Sequence, residues 1–349
     1  MKRDRVADID HLDAEAFSAL GSTPIVWIDV AEPGAAARAE TLSRTTQAII
    51  GGIDRGGECC RFDVGFYDLV LTSKVAPAAP WISVADPWKA AESITAAVVR
   101  NPIAASATAQ VLRMGGNLPF EQALQLESFA YSTLLGGAEF RAWRAAQPNR
   151  APPESSGPYL HISRDNDLVT VTFARPAERN GICAGMRDAL HEAICAVLDD
   201  PSAPALVLKG DGACFSTGGD LAEFGTATDL AAAHAIRTLR SCALRLYELG
   251  DRATVMLHGA CIGSGIEIPA AAAHRHALPG AFFQLPELGM GLMPGAGGTV
   301  SIARAIGRHR TCYMVLSGRR ITAETAAHWG LVSPVAITPE MPNDSRVSN

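Results

Sequence analysis

Two rhythms of apolar residues alternate along this chain. Short β-branched and aromatic runs, PIVWIDV at 24–30 and FYDLVLT at 66–72, predict buried strands, and the alanine-rich stretch 35–50 between them predicts a helix. From 88 to 145 the pattern turns helical. KAAESITAAVVR runs up to Asn101-Pro102, a predicted boundary, and FEQALQLESFAYSTLL follows Gly115-Gly116. In that second run Ala123, Leu124, Leu126, Phe129, Ala130 and Leu134 form a broad apolar stripe suited to packing against another helix or subunit.

Residues 147–158, QPNRAPPESSGP, lose both rhythms to proline, serine and glycine, which predicts a linker. Beyond it the pattern reads strand (159–162), strand (168–173), helix (184–198), strand (205–209), helix (230–249) and strand (253–257), then a glycine-rich turn and further strand–helix units. Strands alternating with helices imply an α/β fold with a largely parallel sheet and helical crossovers. The chain therefore divides into a small α/β segment of unknown role (1–87), a helical segment (88–146), the linker, an α/β core (159–335) and a tail (336–349).

Composition narrows the classes. A chain of 349 residues suits two units, and 48% hydrophobic with 19% charged residues predicts a soluble globular protein. A net charge of -6 gives no electrostatic reason to expect nucleic acid or an anionic membrane as partner. No apolar run follows the basic residues of MKRDRVADIDHLDAE, and no stretch of about 18 apolar residues occurs, so cytoplasmic localisation is the default expectation. The eight cysteines are scattered without a C-x-x-C, which predicts reduced thiols. His258, His274 and His276 lack a carboxylate-bearing ligand spacing, so no metal is predicted.

Three segments of the second half share one design, a strand running into a glycine-rich turn that opens a helix: ACFSTGGDL (213–221), GACIGSGIE (259–267) and PELGMGLMPGAGGT (286–299). Glycines let backbone N–H groups point outward unobstructed, and a helix N-terminus adds positive potential, so two such turns facing one point can hold an oxyanion. A dinucleotide-binding reading fails, because GSGIE lacks the third glycine and the ribose-binding acid.

The order RPAERN (175–180), CFSTGGDL (214–221), GACIGSGIE (259–267), FFQLPELGMGLMPGAGGT (282–299), IGRHR (306–310) and LSGRRITAETAAHWGLV (316–332) resembles the crotonase, or enoyl-CoA hydratase/isomerase, superfamily over about half the chain. The resemblance implies a crotonase-like ββα spiral core. It implies backbone oxyanion donors at Gly219 and Ser264, for a thioester carbonyl and the enolate formed from it. It implies that Glu267 and Glu287 are the pair that holds a water and passes a proton to the α-carbon of a 2-enoyl-CoA. CoA would lie along Arg175, Arg179, Asn180, Thr217, Gly218, Asp220 and Leu221, with Gly263 and Gly295 shaping the site. No cofactor is implied beyond the CoA of the substrate, and a homo-oligomer, a trimer or dimer of trimers, is expected. Acyl-chain selection is expected within 224–239.

Three departures accompany the resemblance. EIPAAAA (267–273) replaces a helix that usually ends in aspartate, and Pro269 is expected to leave that helix intact. Little sequence follows GLVSPVAITPE, where relatives continue with covering helices. Residues 88–144 themselves resemble those helices, which implies a degenerate crotonase-like first half whose helices cover the core. Isomerisation, thioester or C–C hydrolysis, cofactor-free oxygenation of an arylacetyl-CoA, and a non-catalytic CoA-binding role stay open beside hydration.

Overall fold

The computed structural model describes residues 14–59, 63–148 and 157–335, so the predicted linker lies largely, and the predicted tail wholly, outside the described residues. In the first half, β1 (Ile25–Asp29), α1 (Ala35–Thr45), β2 (Ile49–Asp54), β3 (Leu69–Thr72) and β4 (Ile82–Ser83) build a four-stranded parallel sheet in the order β1-β2-β3-β4. The helix predicted over 35–50 therefore stops at Thr45. Ile49, Ile50 and Ile53 are β-branched and fully buried between β1 and β3, so strand pairing overrides the alanine-rich run before them.

Four helices follow: α2 (Pro87–Arg100), α3 (Pro102–Gly115), α4 (Phe120–Leu135) and α5 (Ala138–Ala146). Asp86 caps α2 by accepting from Trp88 N and Lys89 N, with Pro87 in the first turn where its missing N–H costs nothing. Glu139 of α5 accepts from Ile103 N and Ala104 N and so caps α3.

The second half opens with β5 (Leu160–Asp165) antiparallel to β6 (Leu168–Phe173), then α6 (Ala184–Asp199), β7 (Ala205–Gly210), α7 (Leu230–Leu239), α8 (Cys242–Glu248) and β8 (Ala253–Leu257). The single helix predicted over 230–249 is two. Ser241 accepts from Leu244 N and starts a new helix at that point. Next come β9 (Ala260–Ile262), α9 (Ser264–Glu267), β10 (His274–Ala277), β11 (Phe282–Gln284), α10 (Gly298–Ile306), α11 (Arg308–Ser317), β12 (Ile321–Thr322), α12 (Ala323–Trp329) and β13 (Ser333–Pro334). A six-stranded sheet runs β13-β10-β8-β7-β6-β5, parallel except at β5, and a three-stranded sheet runs β12-β11-β9.

The helix expected to survive Pro269 does not. A proline at 269 has no N–H for the Gly265 carbonyl and its ring crowds that carbonyl, so α9 is one turn, followed by a 3₁₀ turn over Pro269–Ala271.

One buried apolar cluster spans both halves, joining Leu112, Ala123 and Leu124 to Ile302, Met314 and Leu316. α3 and α4 lie against α10, and α11 lies against α2, α3 and β3. Polar contacts fix this junction. Arg308 donates to Gly65 O at 2.6 Å, His309 Nε2 to Val64 O at 3.0 Å, Arg310 to Trp81 O and Pro77 O, and His328 Nε2 to Pro77 O at 3.1 Å. Among the described residues no helix is long and apolar enough to cross a membrane.

Candidate active site

Strand register brings the three glycine-rich turns together. Ile262 pairs with Gln284 across β9 and β11, and Gly263 N donates to Gln284 O at 2.9 Å, which sets 263–267 beside 285–287. Ser216 bridges Cys261, and Ile262 N donates to Ser216 O at 3.1 Å, which sets 216–219 on the other side. Gly218 has φ 87°, and a Cβ there would lie 2.5 Å from Ile262 O and 3.5 Å from Ser264 N, so only glycine lets the two turns close up. Gly219 and Ser264 are both half-buried, and among the described residues neither backbone N–H has an intramolecular acceptor.

Glu267 and Glu287 are 3% and 6% exposed, so both carboxyl groups work in a nearly dry site. They converge on Gly263. A methyl group at that residue would meet Glu287 Oε1 at 2.8 Å and Glu267 Oε1 at 3.9 Å, and its φ of 52° with ψ of -126° is glycine territory. Glu267 Oε2 accepts from Ala296 N at 2.8 Å and Gly298 N at 3.1 Å, so its proton exchange is confined to Oε1, on the Glu287 side. Glu287 Oε2 is buried and has no partner among the described residues. Burial pushes Glu287 up to about 8, with the Glu127 carboxylate adding to the rise against its own backbone N–H. Burial, then the charges of Glu287 and Glu127, hold Glu267 well above the ordinary carboxylate range despite its two N–H donors. The pair therefore favours its protonated forms more than exposed carboxylates would.

A third carboxylate comes from the other half of the chain. Glu127 of α4 is 1% exposed and accepts from Gly297 N at 2.7 Å, Thr299 N at 2.8 Å and Thr299 Oγ1 at 2.6 Å. Burial raises it to about 7, against those three bonds. One helical turn later Tyr131 lays its ring on Gly295, where a Cβ would be 2.4 Å from Tyr131 Cδ2, and Arg237 stacks over that ring at 4.6 Å. Burial raises the Tyr131 phenol, opposed by Arg237 and assisted by Glu267, Glu287 and Glu127. In the sequence the α4 stripe is plain, but neither residue is marked there as part of a site. The available signal was a carboxylate three residues after Leu124 and four after Ala123, on the apolar face itself.

Residues 163–345 fit the family described as Enoyl-CoA hydratase/isomerase. The chain belongs to this family. It is 35% identical over 176 residues to 2,3-dehydroadipyl-CoA hydratase of Escherichia coli, covering 50% of this chain and 68% of the relative. It is 30% identical over 172 residues to the mitochondrial enoyl-CoA hydratase of Pongo abelii, covering 49% of this chain and 59% of the relative. A crystal structure of enoyl-CoA hydratase from Thermoplasma volcanium is 28% identical, with a TM-score of 0.47, over 52% of this chain and 73% of that one. The chain thus spans between 59% and 68% of the length of these two curated relatives.

Within this crotonase-type core, two of the expected CoA contacts are committed elsewhere. Arg175 is turned inward, ion-paired with Glu178 at 3.4 Å, 3.6 Å from the Cys183 thiol and stacked near Tyr159, so its guanidinium is not presented to a phosphate. Asn180 is fully buried and ties loops together, accepting from Arg175 N and donating to Asp211 O and Cys214 O. Arg179 is exposed, with φ 53°, and Thr217 Oγ1 and N both donate to its carbonyl. Asp220 closes its turn by accepting from Ala222 N at 2.9 Å, and Leu221 is exposed.

Proposed function

We propose that the chain is a hydratase of 2-enoyl-CoA thioesters. The observation that carries this reading is the convergence of Glu267 and Glu287 on Gly263, beside two backbone N–H groups that have no acceptor among the described residues. In this reading the thioester carbonyl accepts from Gly219 N and Ser264 N, which stabilise the enolate oxygen as charge reaches it. A water held between the carboxyl groups adds through its oxygen to C3 and gives a proton to Glu267 Oε1. The protonated Glu287 supplies a proton to C2. Burial and the charge of neighbouring carboxylates raise both carboxyl groups, so the pair titrates as a unit, and its singly ionised form holds one proton to give and one carboxylate to receive. Hydratase relatives at 30–35% identity support the same class of substrate.

The helices α3–α5, contributed by the first half, close this site in the proposal, with Glu127 and Tyr131 completing its wall. Incubation with crotonyl-CoA tests the function. Loss of the conjugated-thioester absorbance is expected, and its abolition in both Glu267→Gln and Glu287→Gln. Turnover of 3-enoyl-CoA thioesters without any 2-enoyl-CoA hydration would replace the reading with isomerisation.

A further inference from the structure

Beside the glycine turns lies a cavity of about 620 Å³, a volume ordinary for a small-molecule site, between α5 and residues 225–230. Its walls are apolar at Leu135, Phe140 and Leu230, and Arg144 and Arg141 bring guanidinium groups to it. Two of its lining residues neighbour residues of the site above. The Phe224 ring lies over Gly219, where a Cβ would be 2.7 Å from its Cε2, and it meets Trp143 edge-on at 6.4 Å. Gly225, the next residue, would place a Cβ 3.3 Å from Phe140 Cε1 and 3.5 Å from Arg144 Cγ. Phe140 N in turn lies 2.7 Å from the Cβ position of Gly291, four residues beyond Glu287. The cavity residues Gly225 and Phe140 thus sit next to residues that pack on Gly219 and Gly291.

Arg144 has no carboxylate of its own. Among the described residues it makes no ion pair, and the acids nearest in sequence to the cavity are committed: Glu139 caps α3, Asp229 caps α7 by accepting from Ala231 N and Ala232 N, and Glu223 accepts from Ala184 N at 2.8 Å at the start of α6. Arg141 donates to Gly136 O. A half-buried guanidinium in an apolar cavity is costly to cover with hydrocarbon and favourable to cover with a carboxylate, which it meets through two parallel hydrogen bonds.

We infer that this cavity receives the acyl chain and that Arg144 selects chains ending in a carboxylate, so that the preferred ligands are ω-carboxyacyl-CoA thioesters. The inference rests on the reading of the site as an acyl-CoA site, but its test does not need turnover. Binding of adipoyl-CoA and hexanoyl-CoA, saturated thioesters of equal chain length, is measured by calorimetry on the full chain. Adipoyl-CoA is expected to bind tighter by on the order of tenfold or more, the scale of one charge-assisted bond. In Arg144→Gln that preference should vanish while hexanoyl-CoA affinity stays within about twofold, and Arg144→Lys should restore part of it. Equal affinity for the two thioesters in the unaltered protein overturns the inference. So does an equal loss for both in Arg144→Gln, which would put the arginine on the CoA phosphates. Failure of crotonyl-CoA hydration with the adipoyl preference intact would instead remove the proposed reaction and leave the carboxylate site standing.

Discussion

Glu127 and Glu267 divide one tetrapeptide between them: Ala296 N and Gly298 N donate to Glu267, Gly297 N and Thr299 N to Glu127. The four N–H groups lie at the start of α10, where a helix leaves its donors unpaired and its dipole favours negative charge. One acid faces the candidate reaction centre, and the other fixes the loop that orients it.

Replacing Glu127 by glutamine should therefore act on the site from outside it. We expect kcat to fall on the order of tenfold and stability by about 1–3 kcal/mol, from lost or unpaired buried hydrogen bonds. Removing the neighbouring negative charge also lowers the proton affinity of Glu267 and Glu287, so the alkaline limb of the rate profile should move to lower pH. A kcat–pH profile paired with thermal unfolding separates these effects. An unshifted alkaline limb would contradict the coupling.

Glu287 makes a stability prediction with a definite sign. Its proton affinity in the fold is raised from 4.5 to about 8, so its contribution to stability is fully present below pH 4.5 and is lost as pH rises through about 8. Glu287→Gln, permanently neutral, should flatten that alkaline loss while reducing hydration by about 10²- to 10⁴-fold. Unfolding midpoints between pH 6 and 9 would check the first expectation and crotonyl-CoA kinetics the second.

His309 gives a prediction for the acid side. Its Nε2 donates to Val64 O, and burial together with Arg308 lowers it from 6.5 to about 4. A depressed histidine contributes stability above 6.5 that is lost as pH falls toward 4, up to about 3 kcal/mol. His309→Gln, which can keep the donor, should show a shallower loss over that window. An identical acid profile in the two proteins would show that another group controls it.

Separating the halves should disable both. Residues 159–349 expressed alone would expose the α10 and α11 faces that α2, α3 and α4 cover, and the N–H groups of Gly297 and Thr299 would lose Glu127. We expect an aggregating, inactive fragment, rescued by co-expression with residues 1–148. A soluble, active fragment would refute the dependence.

Much of the site could be read from residues close together in sequence. The three glycine-rich turns announce themselves through glycine spacing and strand-to-helix transitions, whereas Gly219, Ser264, Glu267 and Glu287 stand out within them only through the family resemblance. Glu127 does not. Its partners are about 170 residues away, and a lone glutamate in a helix is ordinarily solvated. β2 was hidden for a related reason: what makes Ile49–Asp54 a strand is parallel pairing on both sides, not its own composition. The inward turn of Arg175 is likewise invisible in its motif, because local spacing says nothing of which way a guanidinium points.

The separation of 172 residues between Glu127 and Thr299 also has a meaning in time. On a ribosome α4 is complete long before the loop it clamps has been made, so its buried acid and apolar stripe must wait for a distant partner. Contacts of such high order form late and slowly. Correct geometry at Glu267 is thus among the last things the chain acquires, and turnover should register the end of folding more faithfully than helix content does.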